Sequence, residues 1–130
     1  MTELEKVKEH FTKDEFVKGI GAEIEELSAK KAVIKTVVKP CHQNANGVAQ
    51  GGMLYTIADY TFAIHANYVH GQVVTQGGRI QYLIPAKVGE ELTFVATETA
   101  RAGHNTVSEV LVKNGAGEIV CVCNFNGFVR

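Results

Sequence analysis

No stretch of this 130-residue chain approaches the roughly 20 consecutive apolar residues that cross a bilayer, so a membrane-spanning helix is not expected. Neither sign of charge dominates: 13 Lys and Arg face 14 Asp and Glu, and no basic cluster is interleaved with aromatics. Nucleic acid and anionic membrane surfaces are therefore not expected as partners, which leaves a small molecule. Cysteine is scarce and odd in number. Cys41, Cys121 and Cys123 supply no second pair for a disulfide framework or a zinc site, and they read as reduced, structural thiols. Five histidines, His10, His42, His65, His70 and His104, show no ligand spacing, so no metal is expected. His65 reads as a core-side residue of a helix, and His42 as a loop residue at the surface. Internal repeats, linkers and low-complexity segments are missing too. The length suits one domain over residues 1–130, burying about two-thirds of its unfolded surface. The first residues, Met1 to Lys6, are charged rather than signal-like, and a cytoplasmic location is the expectation.

What is present is a pattern of strands around one long helix. Thr2 with Glu5, and Thr12 with Glu15, have capping-box spacing, and Phe11 with Phe16 has the spacing of a hydrophobic staple. Short N-terminal helices over about residues 3–18 follow from this, the second over 13–18. Residues 22–28 and 32–39 read as a β-hairpin stopped by Pro40. Leu54, Ile57, Ala58, Thr61, Phe62 and His65 then recur at helical spacing up to Gly71. Four strands are expected after it, over 72–84, 91–100, 105–113 and 118–129, separated by turn residues. Five or six antiparallel strands with one helix long enough to cover their apolar face define an α+β class.

The most informative segment runs from Asn44 to Asp59, where the pair Gly51-Gly52 opens the long helix and the helix carries one carboxylate. Glycine lets a ligand approach the backbone closely, and a helix N-terminus offers unpaired N–H groups at the positive end of its dipole. An oxyanion or a thioester carbonyl can bind there.

These residues resemble the hotdog-fold thioesterases of the phenylacetate-pathway (PaaI-like) branch. The family pattern Asn-x-x-Gly-x-x-His-Gly-Gly, followed by a helix with Leu-Ala-Asp, is met by Asn44, Gly47, Gly51, Gly52, Ile57, Ala58 and Asp59. The segment Pro85-Ala86-Lys87-Val88-Gly89-Glu90-Glu91-Leu92 is similar to the family's Pro-Ala turn. The likeness covers nearly the whole chain and implies a curved antiparallel sheet wrapped around one long helix. It also implies an acyl-CoA thioesterase that works as a homodimer or a homotetramer built from two dimers. The family's histidine is Gln50 here, which donates a hydrogen bond but carries no proton. A Ser or Thr lies about ten residues before the Pro-Ala turn in such relatives, and Thr75 falls there.

At about 1.5 Å per residue, Gly51 and Asp59 lie about 12 Å apart along their helix, so one chain cannot put both on one carbonyl. Two helices packed antiparallel about a twofold axis near Tyr55 bring Gly51 of one against Asp59 of the other. The expected reaction is hydrolysis of an acyl-CoA thioester. The Gly51 N–H, helped by Gln50, holds the carbonyl oxygen, and the partner's Asp59 activates water or attacks as a nucleophile. Asn44 braces the loop or positions the carboxylate or water, and Thr75 orients that water. Gly52, Tyr55, Phe62, Tyr82 and Ile84 are expected around the substrate; Arg79, Arg101 and Lys113 are candidates for the CoA phosphates. No cofactor is expected, since coenzyme A is part of the substrate. The alternative is a module of the same fold that binds acyl-CoA or an aromatic ligand with little turnover. A hotdog hydratase ranks last, because no histidine stands at the helix position to form its acidic dyad.

Overall fold

A computed structural model describes residues 1–130. Two short helices, α1 (Glu3–Phe11) and α2 (Glu15–Ile20), precede the hairpin of β1 (Glu23–Leu27) and β2 (Ala32–Val37). The long helix α3 (Gly51–His70) follows, and then β3 (Val73–Tyr82), β4 (Glu91–Ala102), β5 (Asn105–Lys113) and β6 (Ile119–Val129). The six strands form one antiparallel, curved sheet in the order β1-β2-β4-β5-β6-β3, wrapped on α3 as in the hotdog fold.

The inward-facing residues of β2, β4, β5 and β6 alternate with partly exposed ones, and they meet the buried face of α3 formed by Leu54, Ile57, Ala58, Thr61, Phe62 and His65. That alternation is what one covered sheet face requires. The opposite stripe of α3, Gly52, Thr56, Asp59 and Ala63, is left open. At the sheet's edges the two strands differ. β1 is five residues long with three glutamates, a protected edge, whereas the ten-residue β3 is mostly exposed along its free side.

The N-terminal helices differ from the expected ones in two respects. The Thr2–Glu5 capping box forms, but Thr12 is the last residue of the α1 cap, and Asp14 caps α2 by accepting from the Val17 N–H at 3.1 Å. The helix therefore spans 15–20, because an aspartate two residues on competes successfully for the cap position. No staple forms. Phe16 is 71% exposed, and Phe11 packs edge-on against Tyr60 of α3 at 5.8 Å.

One irregularity in β3 positions the site. Its pairing with β6 shifts between Thr75 and Gly77, a β-bulge at Gln76. A one-residue bulge reverses which face successive side chains take. Val73 and Thr75 face the helix before it, and Gly78, Ile80 and Tyr82 face the helix after it. A single strand thus reaches Asp59 with Thr75 and the first turn of α3 with Tyr82.

Candidate active site

The loop ahead of α3 is held by its own backbone. The Asn44 side-chain oxygen accepts from the N–H groups of Asn46 (2.9 Å) and Val48 (3.3 Å), and the Asn44 N–H reaches the Val48 carbonyl at 2.8 Å. The Ala49 N–H donates to the Ala86 carbonyl and the Gln50 N–H to the His42 carbonyl, both at 2.8 Å. Asn44 thus braces the loop, and the Pro-Ala turn is stitched to it. His42 is buried rather than at the surface: its Nδ1 accepts from the Lys39 N–H at 2.9 Å. Burial, and then the Lys39 charge, hold its imidazole below the usual range.

Gln50 is the N-cap of α3, its side-chain oxygen accepting from the Gly52 N–H. Tyr82 donates its hydroxyl to the Gly51 carbonyl at 2.8 Å. Both bonds grip the same peptide unit, one at each end. Both glycines are required by this approach: a Cβ on Gly51 would lie 2.8 Å from the Tyr82 hydroxyl, and one on Gly52 2.7 Å from the Gln50 side-chain oxygen. The next amide back, Gly51 N–H, makes no hydrogen bond in the loop or helix. It belongs to the unpaired donors that every helix start presents.

A cavity of about 360 Å³ opens against Gly51, with Val48, Leu54, Ile84 and Pro85 among its mostly apolar walls and Asn44 and Tyr82 at its polar end. A second, of about 430 Å³, lies on the other side of the same helix turn, between Phe16 and Ile20 of α2 and Gln50, Gly52 and Thr56.

Asp59 sits two turns further along, half-buried on the open stripe of α3, where its Oδ1 accepts from the Thr75 hydroxyl at 2.8 Å. Burial raises its carboxyl above the usual carboxylate range. The Thr75 bond pulls it down by less, and the Asp14 charge pushes it up further. Asp14 is a contributor outside the expected site residues, although an aspartate directly before the short helix is a legible cap signal.

Other expected residues lie elsewhere. Phe62 is fully buried, stacked on Phe125 at 5.6 Å, a core residue rather than a cavity wall in this chain. Tyr55 is partly buried with its edge on Phe125, its hydroxyl beside Gly78. Arg79 points away from the helix on β3, and Lys113 is exposed at the end of β5. Arg101 is engaged at the far end of α3 with His70 Nδ1, at 2.7 Å. His65 is core-side, its Nε2 3.2 Å from the Ala29 carbonyl. Burial pushes the thiols of Cys121 and Cys123 up to about 11 and about 12, which leaves them inert, while Cys41 is exposed. No group of three His, Cys, Asp or Glu side chains is arranged to hold a metal ion. No helix is long and apolar enough to cross a membrane.

Comparison with known proteins agrees with this geometry. Residues 46–121 match the family described as the thioesterase superfamily. A protein of Archaeoglobus fulgidus named "Putative esterase" is 32% identical over 122 residues, spanning 92% of this chain and 78% of that protein. Among solved structures, the E. coli PaaI protein of the phenylacetic acid degradation operon superposes with a TM-score of 0.92 at 21% identity, covering 98% of this chain and 94% of its own. A hypothetical thioesterase of Streptococcus pneumoniae, solved with coenzyme A, superposes with a TM-score of 0.81 at 28% identity, covering 85% and 89% of the two chains.

Proposed function

The chain belongs to the thioesterase superfamily, and we propose that it hydrolyses an acyl-CoA thioester to the free acid and coenzyme A. The observation that carries this reading is a single helix bearing both an uncommitted amide at its positive end and, on its open stripe, a carboxylate already oriented by Thr75. The coenzyme A in the Streptococcus pneumoniae relative supports the substrate class.

In this mechanism the thioester oxygen takes the Gly51 N–H, with the free side-chain NH₂ of Gln50 as a second donor. Gln50 supplies no proton. Asp59 of the second subunit removes a proton from water as the water oxygen bonds to the acyl carbon, and the oxyanion forms against Gly51. Collapse breaks the C–S bond, the thiolate of coenzyme A leaves, and Asp59 returns the proton to sulfur. The raised carboxyl makes Asp59 a stronger base than an ordinary aspartate. A direct attack by Asp59, forming an anhydride that water then opens, uses the same groups. A thioester has two arms, and the helix N-terminus is flanked by two cavities. The more apolar one, by Val48, Leu54 and Ile84, suits the acyl group, and the one beside Phe16 and Gln50 suits the pantetheine.

The second subunit is part of the proposal, because Gly51 and Asp59 are about 12 Å apart on one helix. Two features support a twofold pair: the open stripe of Gly52, Thr56, Asp59 and Ala63, and the unpaired edge of β3. A tetramer would add a second such pair, and we place the protein in the cytoplasm, without nucleic acid or membrane as partners.

The test is subunit complementation, read by thiol release from short-chain, long-chain and aryl acyl-CoAs. Gly51→Pro deletes the amide at a position where helices accept proline and also displaces the Tyr82 hydroxyl, so it disables the amide half of the site, and Asp59→Asn deletes the base. Each is expected to be nearly inactive alone. Unfolded together and refolded, they should recover about a quarter of wild-type turnover, since half the dimers are mixed and each has one intact site. No recovery rejects the composite site. Saturable acyl-CoA binding without thiol release by the wild-type protein favours the non-hydrolytic module instead.

A further inference from the structure

The grip on the Gly51–Gly52 peptide assigns Tyr82 a role that neither its place in the cavity wall nor the family motif gives it. We propose that Tyr82 is a positioning residue: with Gln50 it clamps this peptide from both ends and so aims the neighbouring Gly51 N–H at the substrate oxygen. The inference rests on the hydrolytic reading above and names how its oxyanion donor is oriented.

A peptide unit is planar, so fixing its oxygen and its N–H fixes the whole plate and one side of the Gly51 Cα. Tyr82 holds the Gly51 oxygen at 2.8 Å, and Gln50 holds the Gly52 N–H. Glycine at both positions leaves this first helical turn looser than other residues would, since it has the widest choice of backbone angles of any residue. A donor in an oxyanion site contributes most when it is aimed before the charge develops. Tyr82 comes from β3, the strand whose bulge at Gln76 turns it toward the helix. The strand that orients Asp59 through Thr75 therefore also orients the amide through Tyr82. In a twofold pair the two elements of each site would be aligned by two copies of one strand.

The clamp is compatible with glutamine at the position of the family's histidine. The side-chain oxygen of Gln50 is occupied by the Gly52 N–H, an acceptor role independent of any proton.

Tyr82→Phe removes the hydroxyl and keeps the ring. It is expected to lower kcat about ten- to a hundredfold with KM changed less than about twofold. Affinity for an alkyl-CoA thioether, which has no carbonyl oxygen to aim at, should stay at the wild-type value. Combined with Gln50→Ala, the loss should be smaller than the product of the single losses, because a plate released at one end is already mobile. Amide hydrogen exchange reads the clamp without activity: Gly52 should be protected and Gly51 not, and Tyr82→Phe should speed exchange at Gly52. Wild-type kcat in Tyr82→Phe, or equal exchange at Gly51 and Gly52, overturns the clamp. An absence of thiol release from every acyl-CoA by the wild-type protein overturns the hydrolytic reading and the positioning role with it, whereas turnover with an unaffected Tyr82→Phe overturns the positioning role alone.

Discussion

The helix α3 ends twice, and the two ends are built on opposite principles. At its C-terminus the side chains of His70, Asn67, Glu98 and Arg101 are all tied into hydrogen-bonded contacts. His70 Nε2 lies 2.5 Å from Glu98, its Nδ1 2.7 Å from Arg101, and Thr106 donates to the same Glu98 oxygen. Asn67 spans the turn, donating to the Ala63 carbonyl at 2.7 Å and accepting from the Val73 N–H at 3.2 Å. At the N-terminus, by contrast, Tyr82 and Gln50 fix one peptide while the next amide is left unpaired beside a cavity. Satisfied groups hold a structure together, and an unsatisfied but immobile donor is available for chemistry. Under the proposed mechanism, the N-terminal end takes part in the chemistry and the C-terminal end only anchors.

Substitutions sharpen that contrast. Asp59→Asn should have the largest effect, lowering kcat by about 10²–10⁴-fold in a thiol-release assay. It should also raise stability at neutral pH. The folded carboxyl lies above its unfolded value, so its stabilising contribution is fully present below the usual carboxylate range and lost as pH rises through the raised value. Thermal unfolding from neutral pH into acid should therefore show the variant's advantage shrinking to nothing. Gly51→Pro should cost at least about 10²–10³ in kcat, since it removes one oxyanion donor and its Cβ also displaces the Tyr82 hydroxyl, with the helix content by circular dichroism kept. Thr75→Val should act through pH. Without the hydroxyl that favours the ionised carboxylate, the acid limb of kcat/KM should move to higher pH, and an unmoved limb would mean that Asp59 does not govern it. At the closed end, His70→Gln should leave turnover unchanged and cost about 1–3 kcal/mol in chemical denaturation, because Glu98 and Arg101 lose their shared partner. A large activity loss there would erase the distinction between the ends.

Much of this was legible in the residues. The helical spacing from Leu54 to His65, the stop at Gly71 and the strand from Asn105 to Lys113 all appear where pattern places them, because period 3.6 and period 2 follow directly from backbone geometry. The Asn44 loop and the Asp59 helix were readable as a motif. The second N-terminal helix was misplaced by two residues because Thr12 and Asp14 both suit a cap, and only packing chose between them. Pattern alone places Phe62 as readily in a cavity wall as in the core, because an aromatic on an apolar face looks the same whether it meets a ligand or Phe125. The bond of Tyr82 to Gly51 is hidden for a further reason: on a regular strand in phase with Thr75 its side chain would point away from the helix.

The order of residues alone determined the elements, the buried face of α3 and the identity of the glycine pair and the carboxylate, since each depends on neighbours within a few positions. The tertiary structure alone decided that β3 crosses to the edge beside β6 and that a bulge at Gln76 carries both Thr75 and Tyr82 to the helix. It also decided that the Gly51–Gly52 peptide is held from both sides while Gly51 N–H stays free. The reason is physical: local spacing sets which way a side chain leaves the backbone, but a hydrogen bond between residues 31 apart forms only once a sheet and a helix have packed in a particular register.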